Sequence, residues 1–180
     1  MRILKRLLDF IASRLFFITV ISAVLVVSFY LAMNTANIWV LISDGLDARA
    51  GVVMMGGDES SLEDYFQQEF LARDPVLQVG LSDSSPYRDY EIRGYDHRVQ
   101  MISVWSWPWE NIARAEIIES IPAIDGTISS SKREAALAEG GEARLSPPAW
   151  TTSRYRVTLV RTAGRWKISN LELIEQIQDS

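Results

Sequence analysis

The chain has no cysteine, which excludes a disulfide framework, a thiolate metal centre and a cysteine nucleophile together. It has a single histidine, His97, so a His-Glu-x-x-His metalloprotease motif is absent. Gly-x-Ser-x-Gly is absent too. Gly56-Gly57, with acidic neighbours, is too short to cradle a phosphate. Lysine is scarce, three residues against fifteen arginines, a bias to which no mechanism attaches. There is no internal repeat.

The most informative absence is local. From Leu15 to Met33 nineteen consecutive residues carry no charge, enough at 1.5 Å per residue to cross roughly 30 Å of hydrocarbon as a helix. Arg2, Lys5, Arg6 and Arg14 precede this run against Asp9 alone, whereas the twenty residues after it hold Arg49 among Asp44 and Asp47. Positive charge stays cytoplasmic, so the expected arrangement is a cytoplasmic amino terminus (1–14), a single membrane span (15–33) and an extracytoplasmic remainder. A cleaved signal peptide is the competing reading, but its apolar core is usually about 7–15 residues and ends in a small-x-small site. Tyr30-Leu31-Ala32-Met33-Asn34-Thr35-Ala36 offers no Ala-x-Ala, and a retained anchor is expected. Ile3, Leu4, Leu7, Leu8, Phe10 and Ile11 among the basic residues suggest an amphipathic lead-in along the headgroups; a few disordered residues are the alternative.

The chain carries a formal charge of −5, and setting aside the lead-in leaves 14 Lys and Arg against 22 Asp and Glu after the span. An exported portion near −8 disfavours nucleic acid. Residues 98–109, though aromatic, lack the interleaved cations of a single-strand-binding surface. The expected partners are the lipid bilayer through residues 15–33 and a membrane protein or a second copy of the chain. No cofactor is implied.

Beyond the span, Ile38, Leu41, Ile42, Leu46, Arg49, Val52 and Val53 keep helical spacing, so the helix is expected to continue through 34–57 and stop at Gly56-Gly57. Gly45 and Gly51 each weaken that helix by about 1 kcal/mol relative to alanine. Residues 58–180 form the expected α+β domain. Ser60-Ser61-Leu62-Glu63 reads as a capping box opening a second helix over 59–73, with an apolar stripe of Leu62, Tyr65, Phe66 and Phe70, closed where Pro75 forces Asp74 out of helical geometry. Val76 to Leu81 is one helical turn or a short strand. Asp58, Glu59, Glu63 and Asp64 suit a helix start better than a metal.

From Tyr87 the period becomes two: Tyr90 and Ile92; then Val99, Met101, Ser103, Trp105 and Trp107 on alternate positions; then Ala115, Ile117 and Ile118. Pro108 marks an edge, a bulge or a turn. The polar stretch 125–149 is expected to be a mobile loop, with a short helix over Lys132 to Ala138 as the alternative. Ser153 to Arg161 and Arg165 to Glu175 form a hairpin around Thr162-Ala163-Gly164, Tyr155, Val157 and Leu159 sharing a face and Trp166 and Ile168 repeating the alternation.

Helices first, then antiparallel strands closing on Tyr155, Val157, Leu159, Gly164, Arg165, Trp166, Lys167 and Ile168, resemble the nuclear transport factor 2-like (SnoaL-like, cone-shaped α+β) superfamily over residues 38–175. The resemblance implies a curved antiparallel sheet of about four to five strands wrapped around the helices, enclosing a conical cavity. In soluble members the cone holds a small hydrophobic ligand, often with an Asp and His pair moving protons. The span and the long insertion before the hairpin look more like anchored extracytoplasmic members of type IV secretion, conjugation, sporulation or lipoprotein contexts, which act mostly as assembly modules.

His97 is the one candidate acid or base. Adjacent Asp96 points to the opposite face of an extended strand, so a partner such as Glu110 or Glu116 is required; a surface or loop histidine is the plainer reading. Trp105, Trp107 and Trp109 are candidates to line a cavity, and Tyr155 and Trp166 are further candidates for cavity or partner contact. Core packing explains Trp105 equally well, and an exposed partner-binding or membrane-facing tip explains Trp107 and Trp109. The expected role is a non-enzymatic membrane-anchored interaction module, the alternative a small-ligand-binding or enzymatic cone.

Overall fold

A computed structural model describes residues 2–107 and 109–177, with backbone alone for residues 2–9. The amphipathic reading of the lead-in side chains before Phe10 and the edge, bulge or turn expected at Pro108 lie outside the described residues.

One helix, α1, runs from Arg2 to Met55 without interruption, 54 residues and so about 80 Å. Every side chain from Phe10 to Tyr30 is exposed, and the helix is long and apolar enough to cross a membrane. Its character changes at Asn34. Asn34, Ile38, Ile42, Leu46 and Ala50, five successive i+4 positions, are buried, because residues four apart share one face of a helix. Burying Ile38, Ile42 and Leu46 stabilises by roughly 1.5–3 kcal/mol each, more than Gly45 and Gly51 cost, and the helix continues. Gly45 also sits at a tight approach: a Cβ there would stand 3.0 Å from Tyr65 Cβ and 3.4 Å from Ile168 Cδ1, so those neighbours would have to give by a few tenths of an ångström. The helix ends at Met55, with Gly56 at φ 67° and its N–H bonded to Val52 O at 3.0 Å.

Two sheets surround this spine. Strands β2 (Arg98–Trp105), β3 (Ile112–Ser120), β5 (Ser153–Thr162) and β6 (Arg165–Gln176) form an antiparallel sheet in the order β2-β3-β5-β6, while β1 (Tyr90–Tyr95) and β4 (Ile124–Ile128) pair as a separate ribbon. The expected α+β class holds, with six strands divided four and two in place of a single sheet of four to five. Ala115, Ile117, Val157, Leu159, Trp166 and Ile168 pack against α1. The β5–β6 hairpin turns through Ala163 (φ 51°) and Gly164 (φ 82°), with Thr162 opposite Arg165. Positive φ at both central residues is what a two-residue turn compatible with strand twist demands.

Three local expectations are corrected. The helix over 59–73 is broken: a 3-10 segment (Glu59–Asp64) is capped by Asp58, whose carboxylate accepts from Ser60 N, and a four-residue helix, α2 (Gln68–Leu71), follows. Between them Phe66 forms a parallel bridge to Ile168; Ile168 N donates to Tyr65 O at 2.8 Å and Gln67 N to Ile168 O at 2.9 Å. That pairing takes the backbone groups a continuous helix would have used. Pro75 opens α3 (Pro75–Gly80), with Asp74 as its cap. Residues 125–149, expected to be a loop, carry most of β4, a short helix α4 (Arg133–Gly140) and 3-10 turns on either side. Here β4 finds its hydrogen bonds on β1, and Tyr90 donates to Arg144 O at 3.1 Å. Third, β2 does not alternate strictly. A bulge between Met101 and Ser103 shifts the register, so that Val99, Met101 and then Val104 face the core while Trp105 turns outward, 62% exposed. Core packing is therefore not the role of Trp105.

Candidate functional site

The residues singled out from the sequence fall into three places. The first is where α1 leaves its exposed apolar stretch. Asn34 is 6% exposed and acts as a lock: its amide donates to Ser106 Oγ at 2.9 Å, and its Oδ1 accepts from Trp166 Nε1 at 2.9 Å and Arg161 Nη2 at 3.0 Å. Arg161 also lies over the Trp166 ring, 4.3 Å from its centroid, and reaches Tyr30 Oη at 3.5 Å. Trp166 is thus a core residue of this lock. Beside it stand the three alternating tryptophans. Trp107 meets Trp105 edge-on at 5.2 Å and stacks on Trp109 at 5.1 Å; the bulge in β2 is what turns this ladder out of the core.

The second place is a buried ionic cluster above the lock. Arg49 and Asp74, each 2% exposed, form a two-pronged pair, Nε to Oδ2 at 2.5 Å and Nη2 to Oδ1 at 3.0 Å. Burial works against the guanidinium charge, but Asp74, with Glu119 and Tyr155 behind it, outweighs that and holds the Arg49 pKa above its ordinary value. The His97 side chain is 5% exposed; its Nε2 lies 3.2 Å from Glu119 Oε1 and its Nδ1 3.8 Å from Asp47 Oδ1. His97 sits in the two-residue link between β1 and β2 with its ring turned inward. Its partners are Glu119 and Asp47 and not Glu110 or Glu116, while Asp96 pairs with Arg98 at 2.5 Å. Among the described residues Arg49 Nη1 and Glu119 Oε2 have no protein hydrogen-bond partner. Tyr155 borders the cluster, its hydroxyl pKa raised by burial and then by the Glu119 carboxylate. Next to it Tyr95 donates to Asp47 O at 3.0 Å, and burial with the nearby Asp47 charge pushes its pKa up to about 12.

Tyr155 also touches the third place, a groove of about 380 Å³ shared with Val79, Pro86, Tyr87 and Trp150, where Tyr87 and Trp150 stack 6.4 Å apart. The five aromatic residues singled out as cavity or partner-contact candidates occupy different places: Trp105, Trp107 and Trp109 on an outer ladder, Trp166 in the lock, Tyr155 between cluster and groove. Among the described residues no group of three His, Asp or Glu side chains is arranged to hold a metal ion.

Sequence reasoning missed Asn34, Asp74 and Glu119. A usable signal existed for the cluster, since Arg49 falls on the apolar stripe of α1, where an arginine needs a buried partner. For Asn34, a polar residue at the first buried i+4 position was the only hint.

No protein-family model, curated protein or solved structure matches this chain.

Proposed function

We propose that the protein is a single-pass membrane protein, amino terminus cytoplasmic, whose extracytoplasmic cone-type α+β domain is a non-enzymatic assembly or interaction module of a bacterial envelope complex. The observation that carries this reading is the continuity of α1: the helix that is apolar enough to span a bilayer is also the spine of the folded core. A domain built on its own anchor stays close to the membrane in a fixed orientation. That suits docking to membrane neighbours better than capturing free substrate. The basic lead-in and acidic remainder support the orientation. The inner faces of the sheet support a scaffold over a ligand carrier, since they are filled by α1 side chains such as Ile38, Ile42 and Leu46.

One observation favours a second reading, a small hydrophobic ligand site: the groove lined by Tyr87, Trp150 and Tyr155 adjoins charged groups that are already buried. Apolar walls with a few converging polar groups are what such sites are made of.

Cross-linking in intact membranes, followed by native mass spectrometry of the purified full chain, separates the two. The module reading predicts discrete adducts with a membrane protein or a second copy, and no co-purifying small molecule. A chain that yields no adduct and carries a small molecule released on unfolding supports the ligand reading instead.

A further inference from the structure

We propose that Trp105, Trp107 and Trp109 form a lipid-binding platform that seats the base of the domain in the headgroup layer of the membrane from which α1 emerges. This rests on the reading that α1 crosses that membrane.

Height comes first. The expected span ends at Met33, before the polar residues Asn34, Thr35 and Asn37, and Asn34 is hydrogen-bonded to Ser106 at 2.9 Å. Ser106 lies inside the tryptophan ladder. Arg161, across the sheet, reaches back to Tyr30 within the span itself. Trp105, Ser106 and Trp107, with Trp109 stacked on Trp107, are therefore held beside α1 at the level where hydrocarbon gives way to headgroups.

The chemistry of the surface suits that level. Trp105 is 62% exposed, Trp107 37% and Trp109 72%, and they form one contiguous aromatic array. Large exposed apolar patches mark interaction sites, and indoles, apolar with one N–H donor, concentrate at membrane–water interfaces. Tyr30 and Trp39, exposed on α1 at either side of the boundary, belong to the same belt. Ile112, 47% exposed at the start of β3, extends its apolar area.

Charge makes the same choice. The portion of the chain after the span is acidic, yet this end carries Arg114 opposite Trp105, Arg161, and Arg165 at the hairpin turn, with Glu110 and Glu69 as the nearby carboxylates. Guanidinium groups beside a tryptophan array match phosphate oxygens above an apolar layer. Exposed indoles held at the headgroup level with guanidinium groups beside them match lipid, so the bilayer is the occupant assigned.

The test uses the full chain in liposomes. None of its six tryptophans lies in residues 15–33, so their emission reports the domain and not the span. Lipids brominated near the headgroup should lower wild-type emission by about half, more than lipids brominated near the chain ends, because indoles favour the interface. With Trp39→Phe introduced into both chains to remove the other indole of the belt, the triple variant Trp105→Phe, Trp107→Phe, Trp109→Phe should lose most of that quenching while keeping its circular dichroism. Alkaline carbonate extraction runs in parallel. If the wild type is quenched no more than the triple variant while the chain stays in the pellet, lipid docking is overturned and the anchor stands. Indoles shielded from acrylamide in native membranes but unquenched by brominated lipid overturn it in favour of a protein partner. Release of the chain by carbonate removes both readings.

Discussion

Replacing Arg49 with alanine should destabilise the folded chain by about 3–5 kcal/mol, because it leaves the Asp74 carboxylate, 2% exposed, charged and unpaired in the core. At this size each kcal/mol moves the thermal midpoint by about 2–4 °C, so the loss is on the order of 10 °C. The pair as a whole is not expected to be the main source of stability, since desolvating two charges consumes much of what their attraction returns. The double variant Arg49→Met, Asp74→Leu should therefore recover most of what either single change loses. Near-ultraviolet circular dichroism of the full chain in nanodiscs reads both results. An Arg49→Ala midpoint equal to wild type would mean that the pair is open to water.

Phe66→Ala should cost a similar amount, about 3–5 kcal/mol. Phe66 is fully buried, stacked on Phe70 at 5.4 Å, and its backbone bridges β6 at Ile168. Removing the ring leaves a cavity where the 3-10 segment, α1 and the hairpin meet, and the space beside Gly45, where an added Cβ would stand 3.0 Å from Tyr65 Cβ, is already tight. Glu69→Ala, on the exposed side of α2, is the matched control and should change stability by no more than about 0.5 kcal/mol. Urea unfolding of the full chain followed by fluorescence measures both. Equal midpoints for Phe66→Ala and Glu69→Ala would place Phe66 outside the core.

These two residues show where sequence patterning carries information and where it stops. The i+4 apolar series from Ile38 to Ala50 and the alternation in β5 and β6 were legible because one element supplies the whole periodic signal. Burial of Phe66 was legible in the same way, from the stripe it shares with Leu62 and Phe70. The break at Tyr65 to Gln67 was not, since it arises from backbone pairing with Ile168, about a hundred positions away. The bulge at Ile102 left no mark in residue type, and its effect was to reverse which side Trp105 faces. The strand β4 was hidden because Asp125 and Gly126 have little strand preference, and β1 supplies the hydrogen bonds that hold them. Arg49 was visible as a charge on an apolar stripe, but Asp74, 25 positions on, was readable only as the residue before Pro75. Asp96 and His97 fall in the link between β1 and β2 and not in a strand as expected, and the contact of His97 with Glu119 depends on β3 being brought alongside that link.

The central claim is that residues 15–33 lodge in lipid as part of the same helix that forms the core of the domain. Because the chain has no native cysteine, single cysteines introduced at Ser13, Ser22 and Ser61 and probed with a membrane-impermeant maleimide in sealed vesicles test it directly. The account predicts that Ser13→Cys and Ser61→Cys react from opposite sides and that Ser22→Cys reacts only after detergent is added. Labelling of Ser22→Cys in intact vesicles, labelling of Ser13→Cys and Ser61→Cys from one side, or recovery of a mature chain that begins after Met33 would contradict it.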